Sequence, residues 1–481
     1  MRGKSSSAEG CGASLEVRYT GKPVSGWGGL VAVARYLEKL GVRGLLARAL
    51  PDGRSSPNQI PVVDTVLVFF ATALSGGKRF AHAERLRSDE VVRAILGVRR
   101  MPSAMTLTRY FGGFVRSQVE QLSEVLWQFV VSRLRPSALG AVLDLDSTVF
   151  ERYGHQQGSL KGHNPRKHGR PSHHPLLAML AEAKVVLHAW LRSGNSGTAR
   201  GVKAFLAETL AKLPKEFALY ALRADSGFFI TEFLEELEGR GLPYAIAVRM
   251  NRLVQRTVAG LGQWTRFGPG LEAAELPYRA LGWKSARRLV VVREEIRERP
   301  EARGRRLIEV PGYTFHALVT TLELSPVDTW RFYNGRADSE NRLKELKEDF
   351  GADGFCLQSF DGTEAAFRLL CFLFNLIAAF KREVIRDPAP RLMTLRSRVL
   401  VVGAILGAEG RKTVLRLGLR GRWRERFAAL LERISALTAS TVAHFANYPE
   451  NISNYPQRPW KPRRPYPPAT PLLAFNCGFR V

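Results

Sequence analysis

The run from Tyr333 to Lys347 (YNGRADSENRLKELK) sets carboxylates among cations and a phenol. No proline interrupts it, and most of its residues favour a helix. At 3.6 residues per turn, Tyr333, Arg336, Glu340 and Lys347 fall within roughly 60° of one another. An acid ringed by phosphate-binding groups suits phosphodiester chemistry. A solvated helix laced with i,i+4 pairs, such as Glu340 with Lys344, is the plain alternative.

Two more acid positions stand in unusual settings. Residues 139–148 (LGAVLDLDST) form an apolar, β-branched run broken only by Asp144 and Asp146. Two apart on a strand, these side chains project from one face. A buried strand excludes ionised carboxylates unless they are paired or bound to metal. Farther on, the strand expected over Phe217–Ala224 ends in Asp225-Ser226-Gly227. That is the strand edge where α/β sheets carry functional groups, although an aspartate shaping a turn also fits. One acid of the strand pair, with Asp225 and Glu340, could hold two Mg²⁺ ions for metal-assisted strand cleavage.

The whole chain has the charge such a substrate demands. It carries a formal net charge of +28 over 481 residues, of which 45% are hydrophobic. That content supports a large core divided into two to four domains. The charge implies a polyanionic partner, nucleic acid first and an acidic membrane surface second. Basic residues concentrate at 161–170, 284–306, 411–426 and 458–464, as in a protein that wraps its partner. Cys11, Cys356, Cys371 and Cys477 are far apart, which suggests neither a zinc site nor a disulfide framework and fits a reducing cytosol. The N-terminus lacks a signal-like apolar segment, and the run Leu369–Phe380 is too short to span a bilayer, so a soluble cytoplasmic protein is expected.

These acids need a mixed α/β frame. Residues 1–25 are rich in Gly and Ser and read as loose; 27–135 are helical throughout. Gly29–Leu50 is one helix broken at Gly41, Asp64–Leu74 is strongly apolar, and Ala81–Leu96 is a single amphipathic stretch. Ser103 caps a helix that begins at Thr106 and Arg109 like a helix-turn-helix reading element. Residues 150–174 read as a basic loop. Its His155, His163, His168, His173 and His174 match no usual zinc spacing; Arg166, Lys167 and Arg170 are candidates for phosphate contact. Strands follow at 176–183, 185–191, 217–224 and 244–249, with helices to about Leu213 and over Thr231–Glu238. Residues 250–320 read as a β-rich insertion and Thr363–Arg382 as a core helix. Residues 399–420 form a hairpin through Gly407–Gly410, and Arg424–Leu437 is helical. The Pro-, Arg- and aromatic-rich tail after Tyr448 is extended.

With these motifs in order, the chain resembles a bacterial insertion-sequence transposase of the DDE type. Tyr333, Arg336, Glu340 and Lys347 are similar to the Y-R-E-K signature of one superfamily. LDLDST, YGHQQG…KGHNPRKHGRPSHHPLL and LRADSGFF resemble the insertion-sequence family numbered 1380. The resemblance covers about 90 to 450. It implies an RNase H-like core over 138–385 with the insertion at about 250–320, a helical DNA-binding region over 1–137, and a C-terminal region over 386–481 for dimerisation or DNA contact. It implies catalytic, metal-binding roles for Asp146, Asp225 and Glu340, with Asp146 preferred over Asp144 because Ser147-Thr148 follow it. Tyr333, Arg336, Lys347 and Lys344 would grip DNA, and Trp283 or Trp264, both also suited to a core, would stack on a flipped base. Two Mg²⁺ ions, replaceable by Mn²⁺, would serve a homodimer that pairs the terminal inverted repeats and joins them to target DNA. The implied setting is the bacterial cytoplasm, at the nucleoid. The rival readings are a nuclease without transfer activity and a transposase-derived DNA-binding repressor.

Overall fold

The computed structural model describes residues 19–437 except 53–55, 57, 135–139, 163, 165, 166, 216, 296–311 and 388–389. Arg166, His163 and the tail after 437 therefore lie outside the described residues. A short strand, β1 (Val24–Ser25), leads into α1 (Leu30–Lys39) and α2 (Val42–Ala49). Gly41 takes φ +67° between these helices, a left-handed conformation that favours glycine. Next comes α3 (Val62–Leu74), nearly all buried.

The amphipathic stretch 81–96 is not one helix. It divides into a 3₁₀ turn at Phe80–Ala83, α4 (Glu84–Arg87) and α5 (Glu90–Leu96). Asp89 starts the last by accepting from the Val92 amide at 2.8 Å, a cap that an uninterrupted helix has no place for. Ser103 caps α6 (Ala104–Gly112) as expected, accepting from the Thr106 amide at 3.1 Å, and α7 (Arg116–Val131) completes the bundle.

The mixed sheet begins at β2 (Ala141–Ser147). Residues 150–174 are not simply a loop: β3 (Phe150–Glu151), β4 (Leu160–Lys161) and β5 (Pro171–His173) make a small sheet in the order β3-β5-β4. Next come β6 (Leu176–Leu180), β7 (Val185–Trp190), α8 (Val202–Ala211), β8 (Leu219–Ala224), α9 (Thr231–Gly239) and β9 (Tyr244–Ala247). Residues 250–320 open with a helix, α10 (Arg252–Ala259), before β10 (Thr265–Gly268), β11 (Leu271–Tyr278), β12 (Arg287–Glu295) and β13 (Tyr313–Thr320). These four strands belong to the same sheet as the rest, in the order β10-β11-β12-β13-β9-β8-β2-β6-β7. The join is β13 against β9, Val319 opposite Ile246. Within the sheet β2 runs parallel to β8, and β8 to β9, while β6 and β7 alternate antiparallel.

After the sheet come α11 (Pro326–Asn334) and α12 (Arg336–Glu348), then α13 (Phe360–Phe380), which continues as a π-helical turn over Lys381–Ile385. The combined helix Phe360–Ile385 is long and apolar enough to cross a bilayer, which the run Leu369–Phe380 alone is not. Its most apolar window is wholly buried inside the fold, so its hydropathy is that of a core helix. Asn375, within that helix, has its amide satisfied by both backbone groups of Val186 on β7, at 2.8 Å each. Finally α14 (Leu392–Leu395) precedes the hairpin β14 (Ala404–Glu409) and β15 (Lys412–Leu417), and α15 (Gly421–Ala436) packs on α1. The hairpin turns at Gly410, and residues 396–400 are π-helical instead of extended. β1 pairs with β14, Val24 opposite Ile405, so residues 24–25 are held in a sheet.

Candidate active site

The Tyr333–Lys347 run is not one helix. α11 ends at Asn334, and α12 starts at Arg336 after Gly335. A side chain at 335 would come within 2.5 Å of the Arg223 guanidinium, so glycine allows the two helices to pass that buried cation. Tyr333 therefore lies on α11, while Arg336, Glu340, Lys344 and Lys347 lie on α12.

Three elements bring the acids together. Asp146 lies at the C-terminal end of β2, Asp225 just beyond β8, and Glu340 on α12. Because β2 and β8 are parallel neighbours, both carboxylates sit at the same edge of the sheet. The Asp146 carboxylate accepts from the Ser147 amide at 2.7 Å, and that of Asp225 from the Gly227 amide at 2.8 Å. Arg336 joins the group: its Nη2 is 3.0 Å from Oδ2 of Asp146, and its Nη1 pairs with Glu340. Glu340's ion partner is thus Arg336, one turn back along its own helix.

The electrostatics follow from crowding. Burial pushes the Asp146 carboxyl up to about 7; Arg336 opposes this, while the negative charges of Asp225 and Glu340 add to it. Burial works against the Arg336 cation, but Asp146, Tyr333, Glu340 and Asp225 outweigh it and hold the guanidinium above its ordinary range. Burial likewise raises the Tyr333 phenol, and the nearby acids reinforce it.

Among the described residues, no group of three or more His, Cys, Asp or Glu side chains is arranged to hold a metal ion. The donor set nevertheless fits a hard divalent cation. It offers the carboxylate oxygens of Asp146, Asp225 and Glu340, the last two adding to the burial that raises the Asp146 carboxyl, and Arg336 pairs with Asp146 and Glu340.

The remaining candidates are placed unevenly. Lys347 is half-buried and donates from Nζ to the Val149 carbonyl at 2.7 Å, just past β2; Lys344 is exposed. Lys167 pairs with Glu151 at 2.9 Å, and the Arg170 guanidinium stands 4.5 Å from the centre of the exposed Tyr153 ring. Trp283 is buried: its indole donates to Thr231 Oγ1 at 3.1 Å, and its ring packs against Tyr278, Phe229 and the Arg287 guanidinium. Trp264 is half-buried under Arg293. His173 and His174 are structural: the first receives the Arg152 guanidinium at 2.9 Å, and the second bonds the Ser196 carbonyl at 2.6 Å and the Ser147 hydroxyl at 3.2 Å. Burial, with Arg152 beside it, brings the His173 imidazole down to about 4.

Sequence reasoning missed Arg223. It forms a two-pronged bond with Asp144, at 2.6 and 2.8 Å, which gives that acid its partner. The signal was available, since an arginine inside the apolar run LYALRA is as costly to bury as the aspartate.

The family profile described as Transposase DDE domain group 1 matches residues 8–439. Among solved structures, a cryo-EM structure of a piggyBac transposase synaptic complex with hairpin DNA is similar at 12% identity, over 77% of this chain and 78% of that one, with a TM-score of 0.42. No curated protein matches the chain.

Proposed function

Because this chain belongs to the DDE transposase domain group 1 family, we propose that it is a cut-and-paste transposase whose catalytic acids are Asp146, Asp225 and Glu340. The observation that carries this reading is their convergence, from two strand ends and one helix, around the Arg336 guanidinium. Such acids would hold Mg²⁺, with two ions as the expected number and Mn²⁺ as a substitute. Bound there, the metal would supply Lewis-acid chemistry, a stronger water or 3′-OH nucleophile and a stabilised leaving oxygen.

The chain's own residues do the rest. Asp146, whose carboxyl is raised by burial to about 7, would hold the cation in its carboxylate form beside Asp225 and Glu340. Arg336 can clamp a phosphate through two parallel hydrogen bonds, and Lys347 can serve as a point charge farther along α12. Tyr333, kept protonated, donates a hydrogen bond to a phosphate oxygen. Lys344, exposed one turn from Glu340, adds diffuse charge, while Lys167 and Arg170 contribute to a more distant phosphate track together with the exposed Arg109 on α6. Trp283 is left out of this set, since its burial and indole hydrogen bond favour a core role.

An RNase H-like core is supported by the order β7-β6-β2-β8-β9, three antiparallel strands followed by two parallel ones. The transposase would serve an element of the 1380-like group and carry the Y-R-E-K signature at Tyr333, Arg336, Glu340 and Lys347. It would act in the cytoplasm as a dimer on paired terminal inverted repeats and join the freed 3′ ends to target DNA.

Asp225→Asn tests the reading. It should abolish nicking of terminal-repeat DNA in Mg²⁺ while leaving affinity for that DNA nearly unchanged. Cleavage at the wild-type rate would remove Asp225 from the site. A wild-type chain that binds ends but cuts nothing in Mg²⁺ or Mn²⁺ is a repressor; one that nicks without joining is a nuclease.

A further inference from the structure

Beneath the acid cluster lies a second, fully buried one. Asp144 and Arg223 are each 1% exposed, and Arg223 clasps Asp144 with Nε at 2.6 Å and Nη2 at 2.8 Å. The Ser339 hydroxyl donates to the same Asp144 carboxylate. The remaining guanidinium nitrogen of Arg223 donates to the Phe332 carbonyl at 2.6 Å, close under Gly335. These contacts join β2, β8, α11 and α12 at one point.

The positions are systematic. Asp144 stands two residues before Asp146 on β2, and Arg223, on β8, two before Asp225 just beyond that strand. Ser339 immediately precedes Glu340, Phe332 precedes Tyr333, and Gly335 precedes Arg336. Each member of the buried set is thus a covalent near neighbour of a residue in the proposed site. A strand repeats its face every two residues, so the buried pair lies under the acids on the same side of the sheet.

Stability alone explains such a pair poorly. A buried ion pair often contributes no more than apolar residues of the same volume, because desolvation offsets the attraction. What two parallel hydrogen bonds add is geometry, since they hold the two groups in one relative orientation. We propose that Asp144, Arg223 and Ser339 are positioning residues, which fix the offset between the ends of β2 and β8 and the rotation of α12. They thereby set the spacing of Asp146, Asp225 and Glu340 for divalent metal. This inference rests on the reading of those three acids as the metal ligands.

Two variants separate positioning from ordinary folding. Ser339→Ala removes one hydroxyl from a helix in which alanine is favoured. Asp144→Leu with Arg223→Met removes the pair without leaving a charge buried alone. Each is measured for melting temperature, for Mn²⁺ affinity by calorimetry, and for the Mn²⁺ concentration that half-saturates nicking of terminal-repeat DNA. Positioning predicts folded proteins whose Mn²⁺ affinity falls about tenfold or more in the double variant and severalfold in Ser339→Ala, with half-saturation rising in step. A merely structural role would lower the active fraction and leave both metal constants in place. If the double variant does not fold, Ser339→Ala alone decides. Folded variants that bind Mn²⁺ like the wild type beside an active wild type overturn the inference only; a wild type that neither binds Mn²⁺ nor nicks DNA overturns the reading of the acids as well.

Discussion

Arg336 sets its guanidinium 3.0 Å from the Asp146 carboxylate, and both side chains are largely buried. They come from elements 190 residues apart in sequence, β2 and α12. The pair therefore ties β2 to the helix that also carries Glu340. Arg336 is ion-paired with both Asp146 and Glu340. Arg336→Gln should leave Asp146, Asp225 and Glu340 to repel one another. Removing one partner of a buried pair costs on the order of 3 kcal/mol. The loss should be largest near pH 8 and smaller near about pH 5.5, where protonated Asp146 no longer needs the cation. Thermal melts at the two pH values check this; equal losses would show that Arg336 acts through packing alone.

The raised Asp146 carboxyl gives a pH dependence of definite sign. Its folded value of about 7 lies above that of an unfolded aspartate, about 4. A group shifted in this direction contributes stability that is fully present below the unfolded value and lost as pH rises through the folded one. Metal-free protein should therefore lose stability between about pH 4 and 7 from this group. A divalent cation binds the carboxylate form, so the gain in melting temperature on adding Mg²⁺ should grow from about pH 5.5 to about pH 8. A gain that is flat across that interval would detach Asp146 from the metal.

How much of this was legible depends on the range of the interaction. Short apolar runs located β2, β8 and β9 to within two residues, and Asp225 fell at its strand end because the apolar run stops there. Strands of two or three residues, such as β3 and β4, carry no periodicity, so their small sheet read as a loop. The union of β13 with β9 is a pairing choice between distant strands that no local pattern specifies. Gly335 looked like an ordinary helical residue because its reason, the Arg223 guanidinium, lies on another element. Trp283 sits between Gly282 and Lys284, a polar setting that hides its burial against Tyr278 and Phe229.

Asn375 gives a test of the frame alone. It is a fully buried amide in the core helix α13, bonded to both the N–H and the C=O of Val186 on the edge strand β7. The helix thereby covers a sheet edge that would otherwise present unpaired backbone. Asn375→Ala removes both partners and should destabilise the fold by about 3 kcal/mol, since each orphaned backbone group costs on the order of 1–3 kcal/mol. Denaturant unfolding measures this. A change under about 0.5 kcal/mol, the scale of an ordinary surface substitution, would mean that water or a shifted strand replaces the amide.

Lys347 and Lys344 separate an ordered phosphate track from general basicity. Lys347 lies about 10 Å along the axis from Glu340, too far to reach an ion held there. Its Nζ is fixed to the Val149 carbonyl, three residues past Asp146, so its charge faces the connection that leaves the site. Lys344 is exposed and only one turn from Glu340. Lys347→Ala should weaken terminal-repeat binding severalfold, reduce the magnitude of the salt slope by about one, and slow nicking with the metal requirement unchanged. It should also lower the melting temperature slightly, because the Val149 carbonyl loses a donor. Lys344→Ala should change affinity by less than about twofold, as befits an exposed charge. Binding titrations over a range of salt, paired with nicking assays, compare the two. If both substitutions weaken binding and cleavage equally, α12 offers only diffuse charge, and its functional role rests on Glu340 and Arg336.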